Sequence, residues 1–299
     1  MKLVIRFTIL MSVFLNYLQA QEDKLSLAES FQGCEVIQKI YSVCGDKVQL
    51  DKEAKILLLR SGSRKAEYLC DDGKNLSFYE RMENMDVSSL FLIPYQMGAI
   101  PLPEVRKNFD PGRLRLEELN RTVFGSSESE VRKNLVEIEF LNQKIRFQKK
   151  LGAAHRLELV GTKLVHLSQI DNETKYFLDP FLSQKKQLQG MTFSWRNIAG
   201  TQRLSNHSFG TAIDLLSSHG AQYWLWDEKK KNPQKAALGE SAYRFDHYIP
   251  EKKPYIPEKI VAAFESEGFI WGGKWNHYDT MHFEYRPEFF PHLKKINCE

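Results

Sequence analysis

Hydrophobic and polar positions change their period several times along the chain, and these changes predict short strands mixed with helices. Apolar-rich runs flank Ser61-Gly-Ser63, and apolar positions alternate with polar ones on both sides of Asn142-Gln143, so each place predicts a hairpin. Apolar residues recur at every third or fourth position in residues 153–170, which predicts a helix. The same spacing in residues 257–267, between a proline in the first turn and Gly268, predicts another helix.

Weaker patterns fill most of the remaining chain. A loosely helical pattern covers residues 25–44, and a short amphipathic helix is predicted for residues 113–124, ended by Gly125. Strands are predicted at residues 191–195 and 211–216. Strands and helices do not alternate regularly, so the pattern predicts an α+β fold: a small antiparallel sheet with flanking helices, plus an N-terminal accessory region.

Two segments interrupt the regular patterns. Prolines and glycines punctuate residues 93–112, which predicts an extended connector, whereas the lysine run and aromatic residues of 221–255 are typical of an insertion or lid. The region before the connector holds three of the four cysteines and no histidine. We therefore expect that region to be accessory rather than the seat of the chemistry.

Residues 1–20 predict export. Lys2 and Arg6 precede about a dozen mainly apolar residues, which are followed by the small residue Ala20. A stretch of this length is too short to cross a bilayer comfortably, so the pattern favours a signal peptide that is cleaved after Ala20 and leaves no stable membrane anchor. Leu18 fits the cleavage pattern poorly, and the alternative is an N-terminal helix of the mature protein.

Cysteine count and charge narrow the class of protein. An even number of cysteines in a chain predicted to be exported makes disulfides plausible; three pairings are possible, and buried free thiols are the alternative. The formal net charge is +4 and would be +2 without residues 1–20, because Lys2 and Arg6 account for two charges. Such a balanced charge argues against nucleic acid as a partner. The cysteines are Cys34, Cys44, Cys70 and Cys298.

Histidine and carboxylate side chains concentrate in two short stretches. His207 and Asp214 lie on either side of a small, glycine-containing segment, and Asp279, His282 and Glu284 lie within six residues of one another. Two imidazoles and one carboxylate leave the fourth position of zinc open to water, which is typical of a catalytic rather than a structural site. The same donors can hold Fe(II) in oxygenases, although there the first two ligands usually lie closer together than His207 and Asp214.

The pattern around the first stretch indicates how a site would form. Gly210 allows the chain to bend sharply between His207 and the strand that carries Asp214. On that strand Asp214 can face a cleft while its neighbours fill the core. For His282 to complete the site, this strand and the segment with His282 must lie side by side.

The second stretch offers two candidate bases. Strict alternation would place His282 and Glu284 on one face of a strand and Asp279 on the other, so a turn at Thr280-Met281 is needed for Asp279 to join the site. Asp279, three residues before His282, is well placed to take a proton from an attacking water. Glu284 is the competing base, or else the acceptor that orients an imidazole.

A glycosylation signal coincides with a candidate site residue. The pattern Asn206-His207-Ser208 would place a glycan on top of His207 in a cell that glycosylates its exported proteins. A chain that carries this pattern was therefore not exposed to such enzymes. We expect a bacterial protein that acts in the periplasm or outside the cell.

The two stretches together resemble a known enzyme family. Ser205-x-His207-x-x-Gly210-x-Ala212-x-Asp214, followed by Asp279-x-x-His282, is similar to the LAS-type zinc metallopeptidases. These include the D-Ala-D-Ala peptidases of vancomycin resistance and the L-alanyl-D-glutamate endopeptidases, which share the Hedgehog/DD-peptidase fold. The resemblance covers residues 192–287, and Trp271-Gly-Gly-Lys-Trp275 is similar to the D-Ala-D-Ala carboxypeptidase-like members.

The resemblance implies a role for each matching residue. It implies that the residues that bind Zn²⁺ are His207, Asp214 and His282. It also implies that Asp279 is the catalytic base, that Arg196 holds the substrate carbonyl or carboxylate, and that Ser205 contacts the substrate. His277, in aromatic surroundings near the proposed cleft, is a further candidate for substrate binding.

The substrate that the resemblance implies is the stem peptide of peptidoglycan. A zinc peptidase domain at residues 131–299 would follow an accessory region and connector at residues 21–130, and we expect a monomer. The D-Ala-D-Ala peptidases usually carry glutamate as the base, and an aspartate is closer to the endopeptidases, so the scissile bond stays open. The alternative is a secreted, non-catalytic cell-wall-binding module with a structural metal site, although such a module would need neither Asp279 nor Arg196.

Overall fold

The computed structural model describes most of the chain, but not its first residues. The described residues are 30–70, 86–98, 110–217, 222–243 and 256–290, together with 292, 293, 296 and 298. The predicted signal peptide lies outside them. Among the described helices, none has the length and apolar character that a membrane crossing requires.

Helices and short antiparallel strands alternate irregularly in the described residues, which confirms the predicted α+β class. The helices are α1 (Ser30–Tyr41), α2 (Val87–Leu90), α3 (Glu117–Phe124), α4 (Glu128–Lys133), α5 (Ala153–Ile170), α6 (Asn172–Leu182), α7 (Trp224–Lys231), α8 (Pro233–Ala236) and α9 (Glu258–Glu265). The strands are β1 (Val48–Asp51), β2 (Ile56–Ser61), β3 (Arg64–Leu69), β4 (Leu135–Phe140), β5 (Gln143–Gln148), β6 (Ala212–Asp214), β7 (Phe269–Trp271) and β8 (His282–Tyr285).

Both predicted hairpins are present. The strands β2 and β3 pair around Gly62, and β1 extends them to a three-stranded sheet. The hairpin of β4 and β5 turns at Leu141 and Asn142, one residue before the predicted position, because both of these residues adopt the positive φ that a two-residue hairpin turn requires. Gln143 instead begins β5, and its side-chain amide donates hydrogen bonds to backbone carbonyls.

The predicted core helix is α5, with the bounds expected from its apolar spacing. Gly161 lies where this helix crosses β4, and a Cβ atom there would lie 3.0 Å from the ring of Phe140. The glycine thus allows the helix to approach the hairpin closely, which offsets its low helix propensity. The second predicted helix is α9, and Gly268 follows it with a φ of 87°.

Two predicted elements differ in the structure. The strand predicted at residues 191–195 is wrong: this segment makes isolated hydrogen bonds, from Asp214 N to Met191 O and from Ser194 N to His207 O, and no strand ladder. The helix predicted from residue 113 begins only at Glu117. The preceding residues lie outside the helix, and the side chains of Arg113 and Arg115 pair there with Glu240 and Glu284, which are far away in the sequence.

The third sheet has the order β6-β8-β7, all antiparallel, and Asp214 on β6 pairs directly with His282 on β8. The expected side-by-side placement of these two segments is thereby confirmed. Behind the sheet, the rings of Phe264 and Phe283 stack with centroids 3.8 Å apart. One hydrophobic cluster runs from Cys34 in α1 through α5 to this sheet, so the core extends across the predicted division at residue 130.

All four cysteines form disulfides, so the free-thiol alternative is wrong. The pairs are Cys34–Cys70 and Cys44–Cys298. The first ties α1 to the end of β3, and the second ties the accessory region to the C-terminal residues across 254 positions. Disulfides are compatible with an exported protein.

Candidate metal centre and active site

Three short elements bring His207, Asp214 and His282 together. We call these three residues the His-Asp-His group. His207 lies in a 3-10 helix at Asn206–Phe209, whereas Asp214 ends β6 and His282 begins β8. Gly210 ends the 3-10 helix with a φ of 67°, and a Cβ atom there would lie 2.4 Å from a methyl group of Leu135. The expected bend therefore needs glycine for both its backbone conformation and its packing.

The ligand atoms of the His-Asp-His group form a nearly equilateral triangle. Asp214 Oδ1 lies 3.2 Å from His207 Nε2 and 3.0 Å from His282 Nδ1, and the two nitrogens lie 3.2 Å apart. Tetrahedral zinc with bonds of about 2.0–2.1 Å separates its ligand atoms by about 3.3–3.4 Å. The group, with both imidazoles buried, therefore fits a metal site.

The far nitrogens of both imidazoles have acceptors. His207 Nδ1 lies 2.8 Å from the carbonyl of Thr192, and His282 Nε2 lies 2.9 Å from Glu284 Oε2. A proton on each of these nitrogens donates to its acceptor, which leaves the lone pairs of the other two nitrogens facing Asp214. Both rings are thus oriented as metal ligands usually are.

The charges around His282 favour a cation. Burial would raise the pKa of Asp214, but His207 and His282 outweigh burial and hold that pKa well below its usual range. Burial would lower the pKa of His282, but hydrogen bonds to Asp214 and Glu284 and their charges raise it to about 10. Two carboxylates therefore stabilise positive charge at this place, whether a proton or a metal ion carries it.

Asp279 joins the group through the expected turn. His282 N donates to Asp279 O over 3.2 Å, so the chain reverses at Thr280 and Met281. In the described part of the chain Asp279 Oδ1 is buried and has no hydrogen-bond partner. Burial, together with the charge of Asp214, raises the pKa of Asp279 to about 7. A buried carboxylate oxygen without a partner is costly to the fold and typical of a group kept for chemistry.

One cavity of about 780 Å³ is lined by every candidate site residue except Glu284. Its walls include the His-Asp-His group, Asp279, Arg196, Ser205 and His277. Glu284 does not line it. The arrangement places three ligand atoms that fit a metal site and the Asp279 carboxylate in a space large enough for a peptide segment.

Comparison with known protein families finds a match, and it covers most candidate residues of this site. Residues 199–285 match the family model of D-alanyl-D-alanine carboxypeptidase. The match supports a peptidase. This carboxypeptidase-like segment contains the whole His-Asp-His group and Asp279, and peptidases of the family are generally metal-dependent. No curated protein and no solved structure matches the chain.

The remaining candidates of the carboxypeptidase-like segment have clear surroundings. Ser205 Oγ accepts a hydrogen bond of 3.4 Å from His207 N and so caps the 3-10 helix. His277 is held by Asp110, which accepts bonds of 2.9 Å from its backbone N and 2.7 Å from Nδ1. Arg196 lies three residues before the segment, exposed at the cavity wall.

Several cavity residues come from regions where the sequence indicated no chemistry. Arg113 follows the connector and pairs with Asp110 and Glu240, and Tyr223 donates a hydrogen bond of 2.7 Å to Glu240. Arg115, two residues after Arg113, contacts Glu284. No local motif marks these residues, because their role depends on packing between segments that are far apart in the sequence.

The surroundings of Glu284 favour an orienting role. The side chain is fully buried, and its oxygens accept hydrogen bonds from Arg115, Arg286 and His282. Burial would raise its pKa, but these three neighbours outweigh burial and hold the pKa well below its usual range. A carboxylate with all of these donors, behind the His282 ring, is placed to fix that ring rather than to take up a proton.

We expect Glu284→Gln to weaken metal binding by about 10- to 100-fold, the usual effect of losing an outer partner of a ligand. The amide keeps the size of the side chain but removes the charge that supports the His282 proton. Competition with a metal chelator measures the affinity. Glu288→Gln is the matched control, because Glu288 pairs with the same Arg286 but does not contact the ring. Equal affinities for the two variants would contradict the orienting role.

Proposed function

We propose that the protein is a zinc-dependent peptidase that hydrolyses the stem peptides of peptidoglycan. The observation that carries the proposal is the Asp279 carboxylate, whose Oδ1 is buried without a hydrogen-bond partner in the described part of the chain, in the same cavity as the His-Asp-His group. A module that only bound the cell wall through a structural metal would gain nothing from this costly carboxylate. The family match at residues 199–285 supports the same activity.

Different residues of the cavity have different roles in amide hydrolysis. The His-Asp-His group would hold Zn²⁺, which when bound supplies a Lewis acid for the scissile carbonyl and lowers the pKa of a water. Asp279 accepts a proton from the attacking water as its oxygen bonds to the carbonyl carbon. Asp279 then delivers that proton to the leaving nitrogen as the carbon–nitrogen bond breaks.

The polar groups around Asp279 position the substrate. Arg196 reaches the cavity with an exposed guanidinium and donates hydrogen bonds to the carbonyl oxygen as that oxygen gains negative charge. Ser205 fixes the turn that carries His207 and lines the cavity, where it would contact the peptide. His277, held by Asp110, forms part of the wall against which the peptide lies.

Two scissile bonds are compatible with this arrangement. The family match favours removal of the terminal D-alanine, whereas an aspartate base is closer to enzymes that cut between L-alanine and D-glutamate. Mass spectrometry of muropeptides after incubation with zinc-loaded protein distinguishes them, because one reaction releases D-alanine and the other shortens the stem at its base. A chelator arm, followed by readdition of Zn²⁺ or Fe²⁺, identifies the metal.

Unchanged muropeptides after incubation with fully loaded protein would refute the peptidase. Retention of that protein on purified sacculi would then indicate the cell-wall-binding module. The proposed location is the bacterial periplasm or the exterior, where peptidoglycan lies and where both disulfides persist.

A further inference from the structure

Four arginines lie in the wall of the cavity, and they differ in their partners. Arg113 pairs with Asp110 and Glu240, and Arg115 pairs with Glu284. The remaining two, Arg196 and Arg203, are exposed at the cavity. Among the described residues, neither guanidinium has an ion-pair or hydrogen-bond partner.

Arg203 has an anchored backbone beneath a free guanidinium. Its carbonyl accepts a hydrogen bond of 2.8 Å from Ile198 N, and its own N donates to Thr201 Oγ1 over 3.2 Å. The next residue, Leu204, donates its N to Glu117 Oε2 over 2.8 Å. The backbone is therefore fixed on both sides, so binding of a ligand would order only the side chain.

The potential at Arg203 is positive. Partial burial lowers its pKa, and the charges of Arg113 and Arg115 lower it further, whereas Glu240 and Glu117 act in the opposite sense without cancelling the effect. A cation held close to other cations gains from a bound anion. The guanidinium fork also matches a carboxylate with two parallel hydrogen bonds.

We propose that Arg203 binds a carboxylate of the peptide substrate and thereby determines which peptides the cavity accepts. This inference rests on the proposed peptidase function, in which Arg196 serves the scissile carbonyl. The second free guanidinium in the same cavity is then available for a second, separate anion. The carboxylate belongs either to the free C-terminus of the peptide or to an acidic side chain, and both sources offer the same planar anion.

Three synthetic stem peptides of one sequence separate these sources. The first carries both carboxylates, the second has its C-terminus amidated, and the third has its side-chain carboxylate amidated. The proteins are the wild type, Arg203→Gln, Arg203→Lys and the matched control Arg60→Gln, an exposed arginine on β2 that does not line the cavity.

For the peptide with both carboxylates, we expect Arg203→Gln to raise KM by about tenfold or more, with kcat nearly unchanged. Arg203→Lys recovers part of the loss, because it keeps the charge but not the fork. One amidated peptide should already have a raised KM with the wild type, and Arg203→Gln should not raise that KM further. The carboxylate that this peptide lacks is the one that Arg203 binds. Arg60→Gln behaves as the wild type.

The inference is overturned if Arg203→Gln, folded by circular dichroism, keeps the wild-type ratio of KM values among the three peptides. Calorimetric binding of the same peptides to Asp279→Asn protein, with and without Arg203→Gln, gives a second readout that needs no turnover. Wild-type protein that cleaves none of the peptides would refute the proposed function, whereas equal Kd values with and without Arg203→Gln would refute the role of Arg203. The two failures are therefore distinguishable.

Discussion

Replacing Asp279 with asparagine is expected to lower kcat by about 10²- to 10⁴-fold while the metal content stays at the wild-type level. The range is the usual contribution of a positioned general base. Asparagine keeps the shape of the side chain but cannot accept the proton of the attacking water. The three ligand atoms of the His-Asp-His group are untouched, so the metal stays bound.

The same substitution is expected to stabilise the metal-free protein at neutral and higher pH. The folded-state pKa of Asp279 is raised to about 7, whereas an aspartate in the unfolded chain has its ordinary, lower pKa. Between these two pKa values the unfolded state ionises more readily than the folded state, so the folded protein loses stability as the pH rises. Asparagine removes this cost. A gain in Tm together with a loss of activity indicates a catalytic carboxylate, because replacing a structural carboxylate would lower both Tm and activity.

Turnover of muropeptides, metal analysis and thermal unfolding measure the three effects. Asp179→Asn is the control, because Asp179 is an exposed carboxylate on α6 that does not line the cavity. Its kcat, metal content and Tm should all equal those of the wild type. Hydrolysis by Asp279→Asn at the wild-type rate would remove Asp279 from the mechanism.

The His-Asp-His group could be predicted from the sequence because its geometry is mostly local. His207 and Asp214 lie seven positions apart around a glycine bend, and His282 needs only the pairing of two short strands to reach them. The turn that brings Asp279 to the same side also lies within four residues. Short-range backbone rules are sufficient for the bend and the turn, whereas the pairing of the two strands was expected because His282 must lie beside Asp214 to complete one site.

The choice between Asp279 and Glu284 could not be made from the sequence. It depends on Arg115, which lies 169 positions from Glu284 and belongs to a segment that was predicted to be helical. Where an arginine side chain ends is decided by tertiary packing, and an amphipathic pattern carries no information about it. Arg203 was missed for a related reason: a surface arginine and a cavity arginine have the same local pattern.

The segment at residues 191–195 illustrates the limit of periodicity for short runs. Five residues with mixed polarity satisfy a strand pattern, but a strand also needs a neighbour that offers a continuous row of hydrogen bonds. The edge strand β6 has only three residues, and Met191 makes a single bond to its end. The cysteine pairing could not be chosen from the sequence for a similar reason, because the choice depends on spatial distances between residues that are far apart in the chain.

His207→Ala is expected to lose both metal and activity. The substitution removes one of the three ligand atoms and leaves the Thr192 carbonyl without its donor. We expect metal affinity to fall by more than about 100-fold, beyond the range for an outer partner of a ligand. Wild-type protein that a chelator has stripped should regain hydrolysis when Zn²⁺ is added back, whereas His207→Ala should not regain it at the same Zn²⁺ concentration.

His166→Ala provides the control for this loss, because His166 is an exposed imidazole on α5 that does not line the cavity. It should keep wild-type metal content and kcat, which excludes a general effect of removing an imidazole. If His207→Ala bound Zn²⁺ as tightly as His166→Ala, the His-Asp-His group would not be the metal site. If it bound Zn²⁺ weakly yet hydrolysed muropeptides at the rate of the zinc-loaded wild type, the metal would serve only structure, and hydrolysis would depend on the other cavity residues.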